Sequence, residues 1–237
     1  MSFDNLGDRM KDYERASRVS LPRRLPVIVR VDGKAFHTLT RDCEKPFDRS
    51  LMYRMNLTAG ALCEEIQGAQ LAYVQSDEIS VLVHNYKRLN TEAWFDNQIQ
   101  KMVSVAASVA TAEFNEGGGF RHGHFDARVF VLPEAEVCNY FVWRQQDATR
   151  NSIQMLARSL YSHRECENKN TSVLQEMCFQ KGHNWNDLPV DQKRGRCVVR
   201  VAHGDDRPSW ECDKEPPIFT QDREYIDRHL AVLPEEP

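Results

Sequence analysis

The stretch LAYVQSDEISVLV, residues 71–83, decides the fold of this chain. Two apolar runs, at 71–74 and 79–83, flank the polar residues 75–78. Runs of this composition predict β-strands, and a connection of this length is typical of a β-hairpin. The tip of the hairpin therefore carries two adjacent carboxylates, Asp77 and Glu78, between two strands that we expect to be buried.

Outward from the hairpin, the sequence predicts two more strands and the helices between them. VIVRV at 27–31 is a β-branched run that ends at Asp32-Gly33, and ARVFVL at 127–132 has the same character. Apolar residues recur at near-helical spacing over 48–66 and 97–114. The order strand, helix, strand, strand, helix, strand is that of the split βαβ, or ferredoxin-like, α+β fold.

The rest of the chain is predicted to be mostly helix and loop. Helices are expected at 3–18, from about 134 to 160 and at 170–180, and the remainder of 161–237 is polar and loop-rich. We therefore expect a core at 1–135 and an α-rich, loop-rich C-terminal extension at 136–237. The two parts should pack together as a single compact unit.

Composition excludes several classes of protein. The 237 residues are 41% hydrophobic and 28% charged, which is ordinary for a globular protein and unlike collagen or disordered chains. No window approaches the ~18 consecutive apolar residues of a membrane span, and the charged first residues lack the apolar stretch of a signal peptide. The seven cysteines are scattered and form no CxxC pair. We expect reduced thiols, no membrane partner and a cytoplasmic location.

The charge distribution does not decide whether the protein binds nucleic acid. A net charge of −4 argues only weakly against nucleic acid, because a binding footprint is local. Basic residues cluster early, at Arg18, Arg23, Arg24, Arg30, Lys34 and Arg41, and late, at Lys193, Arg194, Arg196 and Arg200. From charge alone, a solvated surface and an RNA-binding surface are equally compatible with these clusters.

Asp32 and the hairpin tip together suggest a metal site. The first and third strands of a split βαβ sheet are central neighbours, so Asp32 should lie beside Asp77 and Glu78. Carboxylate oxygens suit Mg²⁺, which completes its coordination with water and substrate phosphates, and two such ions can clamp a phosphoryl transfer. The alternative is that Asp32-Gly33 only makes a turn and that the acidic tip aids solubility.

The segment after Asp32 suits a triphosphate. Gly33 permits close approach of the backbone, Lys34 adds positive charge, and the amides of 33–37 can form a concave nest for an anion. The motifs GxGxxG and GxxxxGK[ST] are both absent. The sequence therefore excludes a Rossmann site and a P-loop.

Other motifs are weaker. His122-Gly123-His124 has no partner at zinc-like spacing, Cys166 and His163 fall in a polar loop, and the GxSxG motif of serine hydrolases is missing. The segment Trp143–Asn151, WRQQDATRN, suits phosphate and base contacts. An exposed helix face would have the same composition, so both interpretations stay open.

Eight motifs resemble one known family. They are GDRMKDYE at 7–14, VRVDGKAFH at 29–37, KPFD at 45–48, QSDEISVLV at 75–83, FDARVF at 125–130, NYFVWRQQDATRNS at 139–152, HNWNDLP at 183–189 and FTQDREYI at 219–226. In this order they resemble the tRNA(His) guanylyltransferase family, and more closely its bacterial and archaeal guanylyltransferase-like members.

The resemblance implies a polymerase-like palm that adds nucleotides to the 5′ end of tRNA in the 3′–5′ direction. ATP first activates the 5′-monophosphate as an adenylylated end, which the 3′-hydroxyl of GTP or another NTP then attacks. The implied cofactors are two Mg²⁺ ions. The implied partners are tRNA, ATP, GTP and other NTPs, and the implied assembly is a homotetramer.

The resemblance also implies roles for individual residues. Asp32, Asp77 and the Gly33 carbonyl would bind the metal ions, and Glu78 would assist them as a catalytic residue. The nucleotide would contact Asp32, Gly33, Lys34, Ala35, Phe36, His37, Lys45, Ser76 and Asp77. The tRNA or the activating nucleotide would contact Arg128, Asp147, Asn151, Lys193 and Arg194.

One segment departs from the eukaryotic pattern. Thr149-Arg150-Asn151-Ser152 stands where eukaryotic members carry His-Ile-Asn-Asn, so the eukaryotic histidine is absent. We therefore hypothesise templated repair of 5′-truncated tRNAs rather than strict addition of G₋₁ to tRNA(His). The alternatives are a palm-type nucleotide cyclase, although the GG(D/E)EF motif of diguanylate cyclases is absent, and a non-catalytic RNA-binding relative.

Overall fold

The computed structural model describes residues 5–88, 90–120, 122–204 and 207–230. The strands are β1 Val27–Gly33, β2 Ala69–Gln75, β3 Glu78–Val83, β4 Phe125–Val131, β5 Arg196–Val201 and β6 Ser209–Asp213. The α-helices are α1 Leu6–Ala16, α2 Phe36–Leu39, α3 Arg49–Glu65, α4 Ile99–Glu116, α5 Glu134–Leu160, α6 His163–Cys166, α7 Thr171–Gln180, α8 Val190–Arg194 and α9 Glu224–Asp227. Short 3₁₀ turns lie at Thr40–Asp42, Trp94–Asn97 and Trp185–Asp187.

The strands form one antiparallel sheet in the order β4-β1-β3-β2-β5-β6. β1 and β3 are central neighbours, and their register runs from Val27 opposite Val83 to Asp32 opposite Glu78. This register places the end of β1 beside the turn between β2 and β3. The predicted ferredoxin-like α+β core is confirmed.

The sheet is buried on both faces. α3 and α4 cover one face, where Val29 packs with Met55 and Phe114. α5 covers the opposite face, where Tyr73 packs with Phe141. Because both faces are covered, the strands read as continuous apolar runs instead of alternating ones, and this is why the sequence identifies them so clearly.

The C-terminal extension adds two strands that the sequence analysis missed. β5 pairs with β2, and β6 pairs with β5. Their sequences, RCVVRV and SWECD, mix charged and apolar residues, which is typical of strands towards the edge of a sheet. The division after residue 135 stays a prediction, and one sheet contains strands from both sides of it.

The predicted helices agree with the structure to within a few residues. α5 has the expected bounds, and α7 begins one residue after the predicted start. Residues 1–4, at the start of the first predicted helix, lie outside the described residues. Across the described ranges, every helix is too short or too polar to cross a bilayer.

Candidate active site

The end of β1 and the turn between β2 and β3 meet at one edge of the sheet. The Gly33 amide donates a hydrogen bond to the Asp77 carbonyl oxygen at 3.0 Å, and Asp32 lies opposite Glu78. Ser76 makes the turn with a φ of +48°. The structure therefore brings Asp32 and Asp77 together, as the strand order predicts.

The electrostatics of Asp77 favour a bound cation. Burial raises the pKa of its carboxyl, and the nearby charge of Asp32 raises this pKa further. Hydrogen bonds from the Ser76 side chain and from its own backbone amide act in the opposite direction, as does the charge of His37. Among the described residues, neither lysine nor arginine lies within ion-pair distance of Asp77.

The donor set at this edge fits Mg²⁺. Within the described ranges, three or more histidine, cysteine or acidic side chains nowhere gather into a metal-binding group. Two carboxylates with a carbonyl do not enclose an ion, but Mg²⁺ keeps several waters and takes further oxygens from substrate phosphates. An open edge of this kind leaves coordination positions of the ion for water and for substrate phosphates.

An open cleft of about 610 Å³ adjoins the edge. Of the predicted nucleotide-binding residues, it is lined by Gly33, Ala35, Phe36, His37, Lys45, Ser76 and Asp77. The predicted tRNA-contact residue Asn151 lines it as well. Asp32 and Lys34 are not part of the lining but are adjacent in the chain to Gly33, which is. The Lys34 amide donates a hydrogen bond to the His124 carbonyl oxygen at 2.8 Å.

The loop at 33–37 is held against the core by Phe36. The buried Phe36 ring lies 5.2 Å from that of Phe114 and 5.0 Å from that of Phe125, measured between centroids. Ala35, at φ +56°, leads into α2. The start of α2 lines the cleft through Phe36 and His37.

Glu78 lies between two arginines beneath the edge. Its carboxylate is 2.7 Å from Arg30 Nη2 and 3.0 Å from Arg144 Nε. Burial raises the pKa of Glu78, while the charges of Arg144 and Arg30 oppose this rise. The carboxylate is thus enclosed by cations, unlike Asp77.

The polar segment of α5 is partly internal. Arg144 and Arg150 form ion pairs with Asp147, and the Asn151 amide donates to Asp147 at 3.4 Å. Arg144 is almost fully buried. The exposed-face interpretation of this segment therefore holds for Arg150 but not for Arg144.

α8 packs against the same part of α5. The Ser152 hydroxyl donates to the Lys193 carbonyl oxygen at 3.3 Å, and the Lys193 ammonium group donates to the Asn186 carbonyl oxygen at 2.6 Å. The Arg194 carbonyl oxygen accepts a hydrogen bond from the Tyr73 hydroxyl at 2.5 Å. Burial lowers the pKa of Lys193, and the charge of Arg194 lowers it further.

Arg128 is separate from these residues, on β4. It stands opposite Arg30 in the β1–β4 register, is half exposed, and forms an ion pair with Asp126 at 3.3 Å. It therefore lies on the outer strand of the sheet next to β1, where a large ligand can reach it.

Among the cleft residues that the sequence did not predict are Gln154, Met155 and Arg158 of α5. They follow Asn151 at spacings of three, four and seven residues along α5, which is one face of a helix. This spacing is the signal that could have extended the predicted site beyond residue 151.

Known proteins are similar to this chain in sequence and architecture. The family model described as tRNA(His) guanylyltransferase matches residues 7–133. A bacterial tRNA(His) guanylyltransferase-like protein solved in complex with ATP has a TM-score of 0.91 and 47% identity, covering 97% of this chain and 100% of that one. A bacterial tRNA(His) guanylyltransferase-like protein solved in complex with GTP has a TM-score of 0.82 and 46% identity, and the match covers 95% of this chain and 99% of that one.

A eukaryotic relative agrees with these matches. The tRNA(His) guanylyltransferase of Schizosaccharomyces pombe is 30% identical over 212 residues, which cover 81% of this chain and 78% of that protein. The family match extends from α1 to β4 and includes both carboxylates of the edge. This chain therefore belongs to the tRNA(His) guanylyltransferase family and is a nucleotidyltransferase.

Proposed function

We propose that this chain adds nucleotides to the 5′ end of tRNA in the 3′–5′ direction, after ATP has activated the 5′ phosphate. The observation that carries the proposal is the meeting of Asp32 and Asp77 beside a cleft that Lys45 and the loop at 33–37 also line. Family membership supports the reaction, and the ATP and GTP complexes of bacterial relatives support the nucleotide substrates.

In this proposal Asp32, Asp77 and the Gly33 carbonyl hold two Mg²⁺ ions, which when bound neutralise the charge of the reacting phosphates. The loop at 33–37 and Ser76 orient the triphosphate, and Lys45 adds a positive charge to the same cleft. Most of the catalysis of phosphoryl transfer comes from such positioning and electrostatic stabilisation.

The tRNA end enters from the side of α5 and α8 in this proposal. Asn151 lines the cleft, and Lys193 and Arg194 lie on α8, which packs against α5. Asp147 acts on the tRNA through Arg150 and Asn151, because its carboxylate holds both of these side chains. Arg128 contacts the tRNA or the activating nucleotide from β4.

We further propose that the enzyme is a cytoplasmic homotetramer. Leu6, Met10 and Tyr13 recur at helical spacing along α1, and all three are exposed. α1 contains no buried residue, so packing against another subunit would cover an apolar surface that is otherwise in water. Light scattering on the full chain measures the assembly, and a monomeric mass would contradict the tetramer.

Addition to a tRNA that lacks its first nucleotide tests the activity. The mixture contains ATP, Mg²⁺ and labelled GTP, and we expect templated addition by the natural chain and none by Asp77→Asn, which keeps the shape of the side chain but removes its charge. Asp227→Asn, an exposed change on α9, is the matched control and should retain the activity.

The same assay separates the alternatives. A strong preference for untemplated G addition to intact tRNA(His) would contradict the repair hypothesis. Cyclic nucleotide formed from the mixture, without tRNA extension, would identify a cyclase. Metal-dependent nucleotide binding with neither product would identify a non-catalytic relative.

A further inference from the structure

A chain of ion pairs lies beneath the edge that carries Asp32, on the face of the sheet that α5 covers. Arg30 Nη2 is 3.0 Å from Asp32 Oδ2 and 2.7 Å from Glu78 Oε2. Arg144 Nε is 3.0 Å from Glu78 Oε1, and Arg144 also pairs with Asp147. Carboxylates and arginines thus alternate from the edge of the sheet to α5.

The two carboxylates that share Arg30 differ in their surroundings. The Glu78 side chain is 7% exposed and has an arginine at each of its two oxygens. The Asp32 side chain is 33% exposed and meets Arg30 through Oδ2. Both carboxylate oxygens of Glu78 are therefore paired with arginines. The ion pair of Asp32 with Arg30 uses Oδ2 and leaves Oδ1 for a metal ion.

Arg30 is in a position to weaken a metal site at Asp32. A guanidinium beside a carboxylate competes with a metal ion for its oxygens and repels the ion. Glu78 lies closer to Arg30 than Asp32 does and is better shielded from water, which strengthens its attraction for the guanidinium. Arg144 does not displace Arg30 from Glu78, because the two arginines pair with different oxygens of the carboxylate.

We propose that Glu78 is a positioning residue that sets the cation affinity of the Asp32–Asp77 edge by sharing Arg30 with Asp32, so that the guanidinium does not neutralise Asp32 alone. Glu78 acts through Arg30 in this arrangement and does not ligate the metal itself. The inference rests on the proposed function in one respect, that this edge binds Mg²⁺. It needs neither tRNA nor nucleotide to be tested.

The test is a titration of the full chain with Mn²⁺ alone, in which free Mn²⁺ is measured by electron paramagnetic resonance. Glu78→Gln keeps the shape of the side chain and leaves Asp32 as the acidic partner of Arg30, so we expect Mn²⁺ binding to weaken tenfold or more. Glu136→Gln, an exposed change on α5, should leave the binding unchanged. Circular dichroism checks that each variant is folded.

Arg30→Met removes the competing cation and should bind Mn²⁺ at least as tightly as the natural chain. In the double variant, Glu78→Gln with Arg30→Met, we expect most of the lost affinity to return. The proposal predicts that Arg30→Met raises the affinity for Mn²⁺ more in the Glu78→Gln background than in the natural chain, whereas direct ligation by Glu78 predicts the same effect in both.

Three results would overturn the proposal. One is natural affinity for Mn²⁺ in folded Glu78→Gln, and the second is a double variant as weak as Glu78→Gln alone. The third is weaker binding by Arg30→Met, a variant that stays informative even where Glu78→Gln does not fold. Failure of the natural chain to bind Mn²⁺ would instead contradict the proposed metal-dependent function.

Discussion

At the scale of single residues, Gly33 is the position where the backbone of the site is most constrained. A Cβ at this position would lie 2.4 Å from the ring of Phe36. That ring packs against Phe114 and Phe125, so it cannot move without disturbing the core. The loop that is proposed to bind the triphosphate and the core that supports it are therefore linked through one glycine.

Gly33→Ala should destabilise the protein and impair nucleotide binding together. We expect the free energy of unfolding to fall by about 1–3 kcal/mol, as for other overpacked cores, and the KM for GTP to rise. Gly60→Ala is the matched control, because a Cβ there meets nothing within 4 Å. On α3 that change should be neutral or stabilising by up to about 1 kcal/mol in urea titrations. Equal stability of the two variants would contradict this account.

The residues of the edge show what sequence alone can predict. The meeting of Asp32 with Asp77 follows from the order of strands, which the apolar runs reveal. The surroundings of Glu78 do not follow, because Arg144 comes from α5. Which face of α5 turns towards the sheet is decided by tertiary packing, and a polar segment such as 143–151 contains no signal that separates an internal face from a solvated one.

At the scale of elements, α5 joins the core to the cleft. Its first half packs beneath the sheet through Val137 and Phe141, and its second half lines the cleft with Asn151 and Met155. The sequence predicts the bounds of this helix correctly, because apolar residues recur at helical spacing in both halves and the polar middle contains neither glycine nor proline. The sequence predicts loops around β5 and β6, because Arg196, Arg200 and Glu211 interrupt their short apolar runs.

Phe219, in the segment before α9, packs the C-terminal extension against the sheet. Phe219 is fully buried and lies 5.7 Å from Tyr73 and 5.8 Å from Tyr225, measured between ring centroids. Its amide donates to Gln145 Oε1 on α5 at 2.9 Å. One aromatic residue thus contacts β2, α5 and α9 at once.

Phe219→Ala should cost about 3–5 kcal/mol of unfolding free energy, the range for deletion of a buried aromatic side chain. The matched control is Phe179→Ala on α7, where the side chain is 62% exposed. Its effect should stay within about 0.5 kcal/mol, as for most surface substitutions. Guanidinium titrations of both variants measure the difference, and similar midpoints would show that Phe219 does not anchor the extension.

At the scale of the whole molecule, an acidic chain is proposed to bind an acidic polymer. The net charge is −4, so binding depends on a local basic surface. Lys193 and Arg194 on α8 and Arg128 on β4 are the candidates for that surface. Its electrostatic origin can be measured without knowing which tRNA is the substrate.

The affinity for tRNA should fall by about tenfold or more between 50 and 200 mM salt, because phosphate contacts release counterions. Replacing Lys193 and Arg194 by Ala should make this dependence shallower. The exposed Lys214→Ala, beyond β6, should leave the dependence as it is. Affinity that does not change with salt would exclude the proposed basic surface.

The order of the strands in the sheet also indicates which parts of the molecule unfold locally first. β1, β3 and β2 are interior strands, and they position the two carboxylates, whereas β6 is an edge strand of the extension. Local unfolding begins where a segment has the fewest contacts, so amide exchange should reach β6 before the hairpin. We therefore expect the interior strands that flank the two carboxylates to exchange slowly. We also expect that substitutions at the periphery can change which RNA the protein accepts while the proposed reacting centre keeps its shape.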